Sequence, residues 1–117
     1  MGQIEEFIYK RDKGNKLVSE QNNLLYNRFF NLDTIAYQKG ALSEKTKHLL
    51  GLSCSLMQRC NDCVTYHLIE CKNCDCSIEE INEAMGISLL IGGSIVIPEL
   101  RAALKIVEEL YDTETTE

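Results

Sequence analysis

The stretch LSEKTKHLLGLSCSLMQRCNDCVTYHLIECKNCDCSIEEINEAM, residues 42–85, carries the clearest helix signals of the chain and decides its fold class. Ser43 is the predicted N-cap of a first helix, because a serine hydroxyl accepts a hydrogen bond from an unpaired N–H group of the first turn. The region 58–60 interrupts the pattern, and a second helix follows it. Ser77 and Glu80 then match the capping box, in which each side chain satisfies a backbone N–H of the other residue. A third helix begins there, and three consecutive helices predict an all-α protein.

The N-terminal part of the chain also has a helical pattern, with two interruptions. Residues 3–11 predict a short helix, and the sequence DKGN at 12–15 is predicted to break it. A longer helix is predicted from Leu17 to about Gln38. Gly40 ends that helix, since glycine readily takes the left-handed conformation found after helix C-termini.

The C-terminal part predicts two helices with broad apolar faces. The helix that follows Ser77 ends at Gly92-Gly93, and the last helix runs from about Ser94 or Ile97 to Tyr111. Pro98 fits the first turn of that last helix, where a missing N–H does no harm. The prediction is a single all-α domain over 1–117 with about five to six helices, a core at about 17–111, an N-terminal segment at 1–16 and a frayed tail at 112–117.

Composition disfavours several classes of function. Hydrophobic residues make up 44% of the 117 residues, which is enough for one ordered globular domain. The 18 acidic and 12 basic side chains give a formal charge of −6, which repels phosphate backbones, so we expect no nucleic acid partner. No segment approaches ~18 consecutive apolar residues, and the charged N-terminus lacks the hydrophobic region of a secretory signal. We therefore expect a cytoplasmic protein with no membrane partner.

The cysteines of the second predicted helix share one face with a histidine. On a helix over 60–73, each residue advances by about 100° and rises by about 1.5 Å. With Cys60 at 0°, Cys63 falls near ~300°, His67 near ~340° and Cys71 near ~20°. A dithiol beside an imidazole suits thiol–disulfide chemistry, because the imidazole acts as a base or a cation that favours the thiolate. The helix N-terminus also favours an anionic sulfur at Cys60 and Cys63.

Other interpretations of the six cysteines stay open. The pairs 60/63 and 71/74 have the spacing of a zinc site, but on one continuous helix residues 60 and 71 lie about 16 Å apart along the axis. Zinc ligands converge to about 2.0–2.3 Å from one ion, so the geometry disfavours this site. Cys54, in an apolar run, is predicted to be a buried small hydrophobe. Cys71 is either a buried small hydrophobe or a further member of the helical stripe. Cys74 and Cys76, in a predicted loop, are exposed thiols, a second redox pair or a metal site.

Residues 42–110 resemble the carboxymuconolactone decarboxylase superfamily, and within it the AhpD-like alkylhydroperoxidase branch. The most specific element is CxxCxxxH, matched by Cys60, Cys63 and His67 and supported by the LSEKTK and S-x-E-E-I sequences on either side. The decarboxylase branch lacks the CxxC pair, so the resemblance disfavours decarboxylation. It implies an AhpD-like all-α fold whose subunits interlock as dimers and commonly build trimers or hexamers.

The resemblance also implies a role for each motif residue. Cys63 attacks peroxide and becomes a sulfenic acid, Cys60 takes part in proton transfer and closes the disulfide, and His67 belongs to the proton relay. The family usually has a glutamate twelve residues before the first cysteine, and here that position is His48. Either His48 replaces the glutamate, since imidazole also passes protons near neutral pH, or it is a surface residue of its helix. Glu70, one turn after His67, is another candidate carboxylate.

These observations predict a thiol–disulfide oxidoreductase that reduces hydroperoxides, with Cys60, Cys63, His67 and His48 as its site. We expect a homo-oligomer, a dithiol or thioredoxin-like electron donor, and neither a metal ion nor another cofactor. One alternative is a cysteine-rich zinc-binding or redox-sensing module without turnover. Another is an oligomeric scaffold with inert thiols.

Overall fold

Six α-helices make up the computed structural model of the chain, which describes residues 2–112. They are α1 (Gln3–Ser19), α2 (Leu24–Ala36), α3 (Glu44–Met57), α4 (Asn61–Asn73), α5 (Ile78–Gly92) and α6 (Ile97–Tyr111), with a 3₁₀ turn (Gly93–Val96) between α5 and α6. No strand occurs within residues 2–112, and the predicted all-α class and number of helices are confirmed. The predicted frayed tail lies outside the described residues, apart from Asp112.

Side-chain caps start α3 and α5 at the predicted residues. The Ser43 hydroxyl accepts a hydrogen bond from the Thr46 N–H at 3.0 Å. At α5 the Ser77 hydroxyl accepts from the Glu80 N–H at 3.0 Å, and the Glu80 carboxylate accepts from the Ser77 N–H at 2.8 Å. Such a cap typically contributes about 1 kcal/mol to helix stability. Because both partners of each cap lie within one turn, the local sequence is enough to predict where these two helices begin.

The core lies among α3, α4, α5 and α6, with α3 packed against α4 and α5, and α4 against α6. Its centre is made of large apolar side chains with at most 1% of their surface exposed: Leu52, Leu56, Leu68, Ile81 and Met85. Burying a side chain of this size contributes about 1.5–3 kcal/mol. This packing holds α3 and α4 side by side, and every residue of the predicted site belongs to α3, to α4 or to the turn between them.

The predicted break at 12–15 is wrong, because α1 continues without interruption to Ser19. Gly14 lies inside the helix with open space around it. A glycine in a helix interior costs only about 1 kcal/mol relative to alanine, which the flanking turns of α1 absorb.

The single helix predicted from Leu17 to Gln38 is also wrong, since the chain turns between Ser19 and Leu24. Asn22 takes the left-handed conformation with φ of 52°, which asparagine tolerates better than most residues. Asn23 then caps α2, because its side-chain oxygen accepts a hydrogen bond from the Tyr26 N–H at 3.1 Å. Two polar residues therefore replace the predicted continuous helix by two helices joined by a short turn.

The first two helices contribute no buried side chain to the core. Leu25, Phe29 and Leu32 follow one another at helical spacing on α2 and leave 73%, 66% and 64% of their surfaces exposed. The rest of the described chain leaves most of this apolar stripe uncovered, which is unusual for a helix of a soluble protein.

Residues Ile78–Tyr111 form one run that is long and apolar enough to cross a membrane, by length and composition alone. The run is not a single straight helix, since Gly93 has φ of 81° and ends α5. Alone, α5 has 15 residues, whereas a spanning helix needs about 20. Core helices of soluble proteins pass the same test, and this run supplies part of the core.

Candidate functional site

The turn between α3 and α4 positions the two sulfurs of the predicted dithiol. Arg59 takes the left-handed conformation with φ of 59°, and Cys60 is the extended N-cap of α4. The helix therefore begins one residue later than predicted, at Asn61, and Cys60 lies just outside the helical stripe. Its sulfur accepts a hydrogen bond from the Cys63 N–H at 3.2 Å.

Cys60 and Cys63 are joined by a disulfide, with their Cα atoms 5.3 Å apart. Cys63 is exposed and Cys60 is partly buried. In the reduced protein, the Cys63 sulfur belongs to the first turn of α4, where unpaired N–H groups and the positive end of the helix dipole stabilise a thiolate. The pair can therefore exist as a disulfide and, when reduced, offers an accessible nucleophile.

His67 lies one turn after Cys63 and is 93% buried, with both ring nitrogens in polar contacts. The Tyr37 hydroxyl lies 3.3 Å from Nε2, and Nδ1 of His48 lies 3.2 Å from Nδ1. Burial, and secondarily the neighbouring His48, lower the pKa of His67 to about 4. At neutral pH His67 is therefore a neutral base, so of the two predicted possibilities the structure favours the base over the cation.

His48 is buried beside His67, which excludes the alternative that it is a surface residue. Its exposed fraction is 2%, and its ring stacks on Tyr37 with the centroids 4.6 Å apart. Its second nitrogen, Nε2, lies 3.9 Å from a carboxylate oxygen of Glu70. Both candidates for the role of the family glutamate therefore lie in one cluster. His48 contacts His67 through Nδ1, and Glu70 lies nearest the other ring nitrogen of His48.

Sequence reasoning missed Tyr37 and Gly51. Tyr37 follows α2 and lies 30 residues from His67 in the chain, so no spacing rule connects the two. Gly51 does carry a signal, since a glycine inside α3, one turn after His48, indicates close approach of another group. That group is the His67 ring, because a Cβ atom at position 51 would lie 2.5 Å from its Cε1.

A cavity of about 690 Å³ opens beside Cys63 and His67. Its walls come from α1, α2 and α4 and include four aromatic side chains: Phe7, Phe29, Phe30 and Tyr66. Arg11 lies over the Tyr66 ring, with the guanidinium carbon 4.4 Å from the ring centroid. Clefts of this volume can hold a small organic molecule, and Cys63 is among the residues that line this one.

The other cysteines are not part of the disulfide, although Cys54 lines a second pocket together with Tyr37 and His67. Cys71 and Cys76 are buried, and their thiols are hydrogen-bonded to each other. Burial raises the pKa of both thiols, which keeps them protonated and unreactive. The prediction that Cys54 is buried is wrong, since its side chain is exposed on α3. Cys74, in the loop after α4, is partly exposed.

A zinc site receives no support from the arrangement of the side chains. Across residues 2–112, no three His, Cys, Asp or Glu side chains are placed so that they could hold a metal ion together. The pairs 60/63 and 71/74 lie at opposite ends of α4, as the helical rise requires.

We expect His67 to make stability depend on pH. The pKa of histidine is ordinarily 6.5, and in the folded chain that of His67 is about 4, so between these values the unfolded chain binds a proton that the folded chain does not. The contribution of His67 to the free energy of unfolding is therefore complete above pH 6.5. It decreases as the pH falls towards 4, by about 3 kcal/mol at the most. Urea unfolding of wild type and His67→Gln over this range measures it. Equal pH slopes would contradict the prediction.

Comparison with known proteins places this geometry in a family. A sequence profile of the Carboxymuconolactone decarboxylase family matches residues 23–109. A crystal structure of a Thermotoga maritima protein is 45% identical, covers 97% of this chain and 99% of its own, and superposes with a TM-score of 0.91. A second crystal structure of the same Thermotoga maritima protein, a family protein with a suggested part in the antioxidative response, is 47% identical, with coverage of 94% and 93% and a TM-score of 0.88.

A family protein of Legionella pneumophila, in its apo form, is 22% identical, with coverage of 92% of this chain and 96% of its own. Its TM-score of 0.85 shows the same fold. No curated protein matches the chain. The family profile spans most of the described helices, and the Thermotoga structures match nearly the whole length at more than 40% identity. The chain therefore belongs to the carboxymuconolactone decarboxylase family.

Proposed function

We propose that the chain is a thiol–disulfide oxidoreductase that reduces hydroperoxides with Cys60 and Cys63. The observation that carries the proposal is the disulfide at the start of α4, beside a cavity that it shares with His67. The suggested antioxidative role of the Thermotoga maritima relative agrees with it.

The proposed reaction moves two electrons from the dithiol to the peroxide. The Cys63 thiolate attacks the terminal oxygen of the hydroperoxide, the O–O bond breaks, and the sulfur becomes a sulfenic acid while an alkoxide leaves. The alkoxide takes a proton and departs as an alcohol. The Cys60 thiol then condenses with the sulfenic acid, which forms the disulfide, releases water and prevents further oxidation of Cys63. Sulfur carries both electrons, so the reaction requires neither a metal ion nor an organic cofactor.

His67 and His48 form the proposed proton relay. The imidazole of His67 lines the same cavity as Cys63, and because it is uncharged at pH 7 it can accept the thiol proton transiently and return it to the alkoxide. The contact between the two imidazoles at 3.2 Å gives the proton a path away from the sulfurs, and Glu70 lies at the far end of that path.

The cavity is the proposed hydroperoxide site, and the exposed Cys63 is the proposed entry point for electrons. Aromatic walls suit an alkyl or aromatic hydroperoxide better than hydrogen peroxide. A dithiol or a thioredoxin-like donor would attack the exposed Cys63 sulfur, form a mixed disulfide, and then release the reduced protein as its second thiol displaces Cys63.

The test is a peroxide-consumption assay with the purified full chain, cumene hydroperoxide and a dithiol such as dihydrolipoamide. We expect sustained turnover and a disulfide between Cys60 and Cys63 when the donor is exhausted. A protein that forms this disulfide once but never turns over would instead be a redox sensor.

We also propose a homo-oligomer in which the exposed stripe of α2 packs against a second copy. The resemblance to interlocked relatives supports it, and so does a second exposed apolar group near the end of α5: Ile87, Leu90, Ile91 and Ile95. Leaving both surfaces in water is costly, and a second subunit would cover them.

Placing a charge in the α2 stripe is expected to dissociate the oligomer. Leu25→Asp introduces a carboxylate at a position that is 73% exposed in the single chain, so folding tolerates it while a subunit interface does not. Sedimentation velocity should show a smaller species than wild type. The control, Asn27→Asp, adds the same charge to another face of α2 and should leave the mass unchanged. A monomeric wild type would contradict the proposal.

A further inference from the structure

Tyr37 completes a chain of four polar side chains that runs through the candidate site. The Tyr37 hydroxyl lies 3.3 Å from Nε2 of His67, and the two imidazoles meet through their Nδ1 atoms at 3.2 Å. Nε2 of His48 then faces Glu70 at 3.9 Å. The proposed reaction uses the two histidines and the carboxylate but gives no role to Tyr37.

Only two proton arrangements satisfy this chain, because each neutral imidazole has one N–H donor and one acceptor nitrogen. In the first, His48 carries its proton on Nε2, so its Nδ1 accepts from Nδ1–H of His67. Nε2 of His67 is then an acceptor, and Tyr37 donates to it. In the second arrangement every one of these roles is reversed, and Tyr37 accepts.

Glu70 favours one of the two arrangements but, at 3.9 Å from His48, is too distant to fix it alone through a hydrogen bond. An ionised carboxylate can only accept hydrogen bonds. The first arrangement directs an N–H of His48 towards it, whereas the second directs a nitrogen lone pair at a negative charge. The tyrosine is consistent with the first arrangement, since burial, with Asp33 and Cys54 nearby, raises the pKa of Tyr37 and keeps its hydroxyl protonated.

We infer that Tyr37 is a positioning residue, which donates its hydroxyl proton to His67 Nε2 and holds that ring in the tautomer protonated on Nδ1. The functional part of the inference rests on the proposed function. With this tautomer, the Nδ1–H of His67 is already directed at His48, and the Nε2–H of His48 at Glu70. A proton that reaches Nε2 of His67, where it displaces the Tyr37 hydroxyl, therefore moves along the chain without rotation of either ring. Glu70 is partly exposed and connects the chain to solvent.

The tautomer can be measured without any turnover. Nitrogen-15 NMR of the oxidised full chain, labelled at histidine, distinguishes protonated from unprotonated ring nitrogens. Because the chain has two histidines, one His48→Gln sample is enough to assign the signals of each. We expect wild-type His67 to be protonated on Nδ1 alone. Tyr37→Phe keeps the ring that stacks on His48 and should give a mixture of tautomers, while Tyr26→Phe on α2 should match wild type.

A second readout connects the tautomer to activity. We expect Tyr37→Phe to lower kcat/KM for cumene hydroperoxide about tenfold, the effect of losing one hydrogen bond of about 1.4 kcal/mol, and Tyr26→Phe to leave it unchanged. Wild-type His67 protonated on Nε2, or a tautomer that Tyr37→Phe does not alter, overturns the inference even if the protein is a peroxidase. If the spectra are as expected but the protein does not turn over peroxide, only the proposed function is contradicted, because the tautomer is measured without substrate.

Discussion

Replacing Cys63 with serine is expected to lower the rate of hydroperoxide reduction about 1,000-fold or more. A serine hydroxyl is not ionised at neutral pH, and it can form neither a sulfenic acid nor a disulfide with Cys60. Loss of a catalytic nucleophile has effects of this size in other enzymes. The exposed position of Cys63 in the first turn of α4 makes a fold defect from this change small. Stopped-flow measurement of peroxide consumption, with dithiol in excess, checks the prediction.

Two further variants separate the proposed reaction from general thiol chemistry. Cys74→Ser removes a partly exposed thiol at the far end of α4 and should keep the wild-type rate. Cys60→Ser should allow a single attack on peroxide and then leave Cys63 as a sulfenic acid, because no resolving thiol remains. A dimedone-type probe detects that species by mass spectrometry. Equal consumption by wild type and Cys63→Ser would remove this residue from the mechanism.

Replacing Gly51 with alanine is expected to reduce peroxidase activity about 100-fold while the protein stays folded. The added Cβ would lie 2.5, 2.7 and 2.9 Å from Cε1, Nε2 and Nδ1 of His67, so the ring must move. Its contacts with Tyr37 and His48 are 3.3 and 3.2 Å and do not survive a shift of about 1 Å, a displacement that can cost about 100-fold in rate. The overpacking costs about 1–3 kcal/mol, partly offset by about 1 kcal/mol from the higher helix propensity of alanine.

Gly86→Ala is the matched control for this prediction. Gly86 is also inside a helix, but a Cβ there meets nothing within 4 Å. The control should raise the free energy of unfolding by about 1 kcal/mol and leave the rate unchanged. Urea unfolding and the peroxide assay, on both variants, measure the two effects. A Gly51→Ala protein with the wild-type rate would show that His67 has room to move, or that its position is unimportant.

Helix starts were predicted correctly at the two serine-capped helices, α3 and α5. Ser43 and Ser77 bond to backbone groups three residues away, so the signal and the structure lie in the same turn. Asn23 caps α2 in the same way, but the turn before it was not predicted. The boundaries between α1 and α2 were missed because the competing effects there are small. A helical Gly14 costs about 1 kcal/mol, and the turn at Asn22 depends on one left-handed residue.

In the candidate site, too, contacts between residues close in sequence were predictable, and contacts between distant residues were not. Cys60, Cys63 and His67 lie within eight residues, and the spacing of one helical turn was enough to bring them together even though Cys60 caps α4 instead of belonging to it. The exposure of Cys54 was mispredicted, because an apolar run on α3 does not say which of its faces meets α4 and α5.

Local sequence was sufficient for the helical class, for the serine-capped starts of α3 and α5 and for placing the cysteine pair one turn from an imidazole, since each depends on atoms within one or two turns. Only the position of the segment after α2 brought Tyr37 from 30 residues away to Nε2 of His67. Only the packing of α3 against α4 buried His48 beside His67 and placed Gly51 under the ring. The same packing made His67 a neutral base, because its pKa reflects the water it loses and the neighbour it gains when two helices meet.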